Sequence, residues 1–428
     1  MMNPVQLLRD LVRIDTTNPP GREESLLSYL EEILTEKKLP FVHQRTAPGR
    51  GNLLSWLPAT AAPSKPPLFL ISHIDVVGAD ADAWAHDPFG GEEDEEGFIY
   101  GRGTVDTKQL TVMELYAFLA LAREHGDRSR DVYFLATADE ECGSAFGMQY
   151  FLNHAVTVNG KTVTGAELFL DSDVISEGGG FPVHAGGKVL YLCESGQKGC
   201  GTVEFTVKAR KAKGPFFGSG DGMARAMALV EDIGSLALEE KVLRTVKRFE
   251  AAVGDGSLTP MMDRIVTAMK RSTITATMVT GRNVNEVKVV CDVRLLPGFG
   301  EEYLKSVLDG LAQKWDCEYR IVTLSKGYES SPESEFLSIL ENATLKALGK
   351  TREEVQLVPF VSMGSSDGRF LVNSRARVYG YSPVYDWDMT FDTAVTMVHG
   401  INERIHKDSV VLGAQVLTLA VHDAVRKE

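Results

Sequence analysis

The chain has 428 residues, and its 45 Lys and Arg against 59 Asp and Glu give a formal net charge of -14 at pH 7. That length permits a full-sized core and two domains, and 43% hydrophobic with 24% charged residues excludes wholesale disorder. The acidic balance argues against a general nucleic-acid binder, whose phosphate partner requires a basic surface.

The opening segment MMNPVQLLRDLVRID lacks the basic head, apolar run and small-residue cleavage site of a targeting peptide, and it predicts a short amphipathic helix. A Pro/Gly turn in TTNPPGREESLLSYLEEILTEK precedes a second helix with leucines at helical spacing. GNLLSWLP predicts a strand, AAPSKPP a solvated linker, and LFLISHIDVV a strand covered on both faces. The acidic run GEEDEEG reads as a solvated hairpin tip. TVMELYAFLALAREHG predicts an apolar helix ending at Gly126, and DVYFLATADEE another buried strand. Strands alternating with helices imply an α/β layer architecture.

The pattern changes over residues 195–325, where GTVEFTVKAR and NEVKVVCDVRLLPG alternate as half-exposed strands do. They surround two helical stretches, FGSGDGMARAMALVEDIGSLAL and EEYLKSVLDGLAQKW. A smaller α/β sandwich inserted into the main domain is expected. After it the α/β pattern resumes with a helix in SEFLSILENATLKALG, a strand in VQLVPFV and a closing helix in SVVLGAQVLTLAVHDAV. The expected division is a catalytic domain in two segments, 1–195 and 326–428, with an inserted lid over 196–325. No stretch approaches the ~18 apolar residues of a membrane span. The five cysteines, Cys142, Cys193, Cys200, Cys291 and Cys317, are scattered without a CxxC pair, which suits reduced thiols in a cytoplasm.

Several groups could carry chemistry. His73 and Asp75 stand at i and i+2 on a strand and share a face. Burying them is costly unless they are paired or metal-bound, so a structural pair and a metal site are both open. Asp106 lies in the glycine-rich YGRGTVDTK, where it could serve two cations or simply cap the next helix. Glu140 and Glu141 end a buried strand, where adjacent acids repel unless cations or protons intervene. LDSDVISEGGG offers Asp171, Asp173 and Glu177, and MVHGINER places His399 and Glu403 at i, i+4 spacing. Ligands reach open α/β sites from the ends of strands. Nitrogen and oxygen donors without thiolates suit zinc, with cobalt or manganese as substitutes.

With VRIDTTNPPG, SHIDVV, WAHDPFGG, YGRGTVDTK, ADEECGSAFG, SEGGGFPV, RLLPG, GSSDGR and HGINERI in this order from residue 12 to 405, the chain resembles the cocatalytic di-zinc metallopeptidases. That family includes aminoacylases, glutamate carboxypeptidases, carnosinases and succinyl-diaminopimelate desuccinylases. The resemblance implies a zinc-peptidase catalytic domain of phosphorylase/hydrolase-like fold, an inserted lid that often serves dimerisation, and a free carboxylate beside the scissile amide of a peptide or N-acyl amino acid. It further implies two zinc ions. His73 and Glu177 would hold the first, Glu141 and His399 the second, and Asp106 would bridge them. Glu177 is chosen over Asp173 because SEGGGFPV matches the family's acid-Gly-Gly turn. Asp75 would orient His73, Glu140 would be the general base, and Arg294 and Arg369 would position the substrate carboxylate. The chain departs from the family at Phe217, in KGPFFGSG, where most relatives carry a lid histidine that holds the oxyanion. No histidine occurs from 185 to 398. With the metal motifs intact an active hydrolase is expected, and a weak binding protein for a carboxylated ligand is the alternative.

Overall fold

The computed structural model describes residues 2–209, 222–254, 256–283 and 286–426. Its centre is a ten-stranded mixed sheet. In spatial order the main path runs Phe41–Ala47, Arg50–Leu57, Val132–Thr137, Leu68–His73, Asp173–Ser176, Arg377–Gly380, Lys188–Gln197 and Pro182–Ala185. Val355–Ser362 adds to Lys188–Gln197 in parallel, and Tyr328–Glu329 adds to it antiparallel.

The LFLISH strand is buried at every position, as its continuous apolar pattern predicts. Leu68 and Leu70 face one core with the helices Pro4–Arg13, Lys108–Ala122 and Lys407–Val425. Phe69 and Ile71 face a second core with Tyr133, Phe151 and Phe169. Alternation along a strand therefore feeds two hydrophobic layers at once. The acidic run is the predicted hairpin, pairing Glu92–Glu93 with Phe98–Tyr100, and Asp94 accepts the amides of Glu96, Gly97 and Phe98 at its tip. The predicted helix after Asp106 stops at Ala122, before Gly126. Contrary to the reading that no segment nears the limit for a membrane span, Lys407–Val425 is long and apolar enough to cross one by length and composition. Here it is a core helix, packed on Lys108–Ala122.

The inserted sandwich is a four-stranded antiparallel sheet ordered Thr273–Asn283, Glu286–Leu295, Gly199–Lys208 and Glu318–Leu324. Val203, Phe205 and Val207, with Val287, Val289 and Val293, pack beneath the helices Gly222–Gly234 and Glu301–Trp315. The alternating sequence leaves Thr202, Glu204, Lys288 and Asp292 on the other, more open face. Not all of 196–325 is lid. The helices Arg244–Val253 and Pro260–Ala268 send Val246, Phe249 and Met262 into the main core, and the first of them lies against Val355–Ser362.

Candidate active site

Three neighbouring strands run parallel and end together: Leu68–His73 pairs with Val132–Thr137 on one side and Asp173–Ser176 on the other. The chain leaves their carboxyl ends at His73, at Asp139–Glu141 and at Glu177, so sheet topology alone gathers an imidazole and several acids at one edge. Asp106 and His399 arrive from loops above that edge.

Two groups of side chains result: His73, Asp106 and Glu177, and Asp106, Glu141 and His399, with the potential ligand atoms of each group within 4.8 Å of one another. Nε2 of His73 is 3.1 Å from Asp106 Oδ1 and 3.1 Å from Glu177 Oε2. Nε2 of His399 is 3.2 Å from Asp106 Oδ2 and 3.1 Å from Glu141 Oε2. Asp106 thus gives one oxygen to each group, and it does not cap the following helix, whose N-cap is Thr107.

The electrostatics favour cations. Burial alone would depress the His73 imidazole, but Glu177, Asp106 and Asp75 raise it well above its ordinary value. Hydrogen bonds to Asp106 and Glu141 lift His399 to about 10. Asp106, although partly buried, is held below the usual carboxylate range by the two imidazoles. The protein alone balances this charge with protons on its histidines, and metal ions on the same nitrogens would do so instead. Glu141 Oε1 is a buried acceptor that receives no hydrogen bond, as a carboxylate oxygen meant for a cation would be. A set of two imidazoles and three carboxylates fits two zinc-type ions.

The surroundings fix these groups. Nδ1 of His73 lies 3.0 Å from the carbonyl oxygen of Asp75 and 3.5 Å from its Oδ1, which leaves Nε2 for the cluster. The fully buried Asp75 carboxylate accepts the amides of Glu140 at 3.0 Å and Glu141 at 3.2 Å, and Nδ2 of Asn18 at 2.8 Å. Asp75 therefore ties the histidine strand to the acidic turn. Glu140 and Glu141 do not continue an extended strand, as the sequence suggested. Asp139 adopts a left-handed φ of 66°, and Glu140–Cys142 forms a single 3₁₀ turn. The two side chains still diverge, Glu141 to His399 and Glu140 to Arg369. Burial, with the Glu177 charge, raises the Glu140 carboxyl well above its ordinary value, and Arg369 and His73 oppose that rise.

Asp173 and Asp171 are not in the cluster. Asp173 is buried between Arg130 at 2.7 Å and Arg377 at 2.6 Å, and Asp171 pairs with Arg375 at the surface. Arg369 reaches the site through Glu140 and through Ser144 Oγ at 3.3 Å. Arg294 does not: its bonds go to Asp292 at 2.9 Å and to the Met363 carbonyl at 3.1 Å, where lid meets main domain. His399 and Glu403 do not share a helix, since that helix ends at Met397 and His399 has a φ of 58°. Position 217 lies outside the described residues. Sequence reasoning passed over Asp367, which accepts Thr137 Oγ1 at 2.7 Å and Ser144 Oγ at 2.5 Å while its amide donates to Glu177 Oε1 at 3.3 Å. Asn18 and Asp367 both lie inside the quoted motifs TTNPPG and GSSDGR, but nothing in their spacing says what they touch.

Comparison with known proteins places this arrangement. Aminoacylase-1 of Sus scrofa is 34% identical over 149 residues, which is 35% of this chain and 36% of that protein. Succinyl-diaminopimelate desuccinylase of Methylorubrum populi is 35% identical over 159 residues, 36% of this chain and 39% of that one. These matches span little more than a third of either curated relative. The M20 family metallo-carboxypeptidase Sso-CP2 of Sulfolobus solfataricus shares the fold over 98% of this chain and 99% of its own, with a TM-score of 0.71 at 17% identity. The profile of peptidase family M20/M25/M40 matches residues 69–423, from the strand of His73 to the closing helix, and the chain belongs to that family.

Proposed function

We propose that this protein is a di-zinc amidohydrolase that cleaves a peptide or N-acyl amino acid bearing a free carboxylate next to the scissile amide. The observation that carries this reading is Asp106 set between His73 and His399, one oxygen toward each. His73 and Glu177 would hold one ion, Glu141 and His399 the other, with Asp106 between them. Cobalt or manganese would serve in place of zinc. The names of the partial relatives, an aminoacylase and a desuccinylase, point to the same bond type.

When bound, two such ions would lower the pKa of a water toward ~7 and polarise the amide carbonyl. The remaining steps belong to this chain. Glu140, buried beside the cluster and paired with Arg369, takes a proton from the attacking water on its carboxylate and returns it to the leaving nitrogen. Asp75 keeps the Glu140–Glu141 turn and the His73 ring in place. Arg369 supplies a fork that matches a carboxylate, provided that it exchanges Glu140 for the substrate.

The test is a screen of N-acyl amino acids and dipeptides on zinc-loaded protein, beside Glu140→Ala. Turnover by the wild type, lost in the variant while about two zinc ions stay bound, supports the reading. Ligand binding without turnover in either form would make the protein a binder of carboxylated ligands instead.

A further inference from the structure

Glu403 is fully buried, and no step described above uses it. Its Oε1 accepts the amides of Val105 at 2.7 Å and Asp106 at 3.1 Å. Its Oε2 accepts the amide of Gly103 at 3.2 Å and Nη1 of Arg102 at 2.7 Å. All four donors come from residues 102–106, the stretch that delivers Asp106. The Glu403 carbonyl takes the amide of Gly101 at 2.9 Å, and the next residues pair Arg404 with Tyr100 and Ile405 with Ile99. Arg102 then turns back, with Nη2 3.3 Å from the carbonyl oxygen of His399.

The loop carrying Asp106 and the turn carrying His399 are thus one bonded unit, assembled from segments about 300 residues apart in sequence. Its parts are held on the far side as well: Asn402, at a φ of 56°, accepts the amide of Ala85 at 2.7 Å through Oδ1. This unit contributes unequally to the two ligand groups. It supplies two of the three residues in the group of Asp106, Glu141 and His399, but only Asp106 to the group of His73, Asp106 and Glu177.

We infer that Glu403 is a positioning residue that, with Arg102, sets Asp106 and His399 relative to each other and so governs the second metal ion more than the first. This rests on the two-ion reading proposed above. The carboxylate suits the task because it is acceptor-only and can take several converging donors. A glutamine in its place turns one acceptor into a donor facing amide or guanidinium N–H groups, without changing the size of the side chain.

The experiment uses the full chain, stripped with a chelator and titrated with Zn²⁺ by calorimetry, and with Co²⁺ by its visible absorption. Wild type should take up two ions. Glu403→Gln should bind the first as the wild type does and the second roughly 10–100-fold more weakly, the loss usual when a partner that orients a ligand is removed. Glu403→Asp should restore part of that affinity. Unchanged binding of both ions in Glu403→Gln would overturn the inference. So would equal weakening of both together with a lower melting temperature of the metal-free protein, which marks a residue of the fold only. If Glu403→Gln does not fold, Arg102→Gln, which leaves three backbone donors on the carboxylate, must show the same selective loss, and equal or no loss there overturns it. Fewer than two ions on the wild type would instead count against the two-ion reading itself.

Discussion

Arg369 donates to the Glu140 carboxylate with both side chains about nine-tenths buried, so the residue expected to grip substrate is already paired with the residue expected to act as base. Arg294, the other candidate, is paired with Asp292 and the Met363 carbonyl instead. The two arginines should therefore respond differently to removal. Arg369→Ala is expected to lower kcat/KM for N-acyl amino acids by roughly 10- to 100-fold, the worth of a hydrogen bond to a charged group, about 1.5–3 kcal/mol. Arg294→Ala should cost less than about tenfold, since its removal leaves neither Glu140 nor the cluster unpaired. Steady-state kinetics on both variants decides, and a larger loss in Arg294→Ala would reverse the assignment.

Glu140 and Glu141 differ by one position and should separate completely by experiment. Glu140→Gln keeps every ligand of both groups, so it should retain two zinc ions while kcat falls by roughly 10²–10⁴, the range for a lost general base. Glu141→Gln should lose metal before it loses anything else. Metal analysis beside turnover measures both, and a Glu140→Gln protein that sheds an ion would place Glu140 among the ligands.

Much of this was legible in the sequence because it depends on pattern. The short apolar run LFLISH is what a doubly covered strand shows, and the turns after strand ends hold the polar residues that follow. The long-range partners were not legible. Nothing in the spacing of HGINER says that Glu403 turns inward onto the amides of Gly103, Val105 and Asp106, because the left-handed turn at His399 breaks the helix that i, i+4 spacing suggests. By strand pattern alone Asp173 and Glu177 looked alike as acids near a strand end, and only the acid-Gly-Gly turn favoured Glu177. What distinguishes them is Arg130 and Arg377, which lie 43 and 204 residues from Asp173 in the chain. The helices at 244–253 and 260–268 likewise belong to the main core through contacts that periodicity does not encode.

That difference gives a paired prediction. Asp173→Asn removes the anion between two arginines and leaves buried positive charge, a change that costs on the order of 3–5 kcal/mol. The melting temperature of the metal-free protein should fall while zinc content stays at that of the wild type. Glu177→Gln should do the reverse, losing zinc with a smaller change in the metal-free melting temperature. Zinc loss in Asp173→Asn without loss of stability would exchange the two roles.

Beneath the Glu177 turn, Glu194 is almost completely buried, and its Oε1 accepts the Tyr328 hydroxyl at 2.8 Å. Burial pushes its carboxyl up to about 8, with the Glu177 charge adding to the rise and the Tyr328 and Ser362 hydroxyls opposing it. In the unfolded chain the same carboxyl releases its proton near ~4.3. Between these values the unfolded state binds fewer protons than the folded one, so stability falls as pH rises. The contribution is fully present below about pH 4.3 and is gone once pH passes about 8. Glutamine has nearly the same shape as the protonated acid and no proton to lose. Relative to wild type, Glu194→Gln should therefore gain in melting temperature between pH 5 and pH 8, by on the order of a few °C. Both proteins must be melted free of metal, because metal binding at the neighbouring ligands depends on pH in its own right. A difference that stays flat across this range, or that moves against the variant as pH rises, would mean that Glu194 is ionised in the folded protein and balanced by a cation nearby.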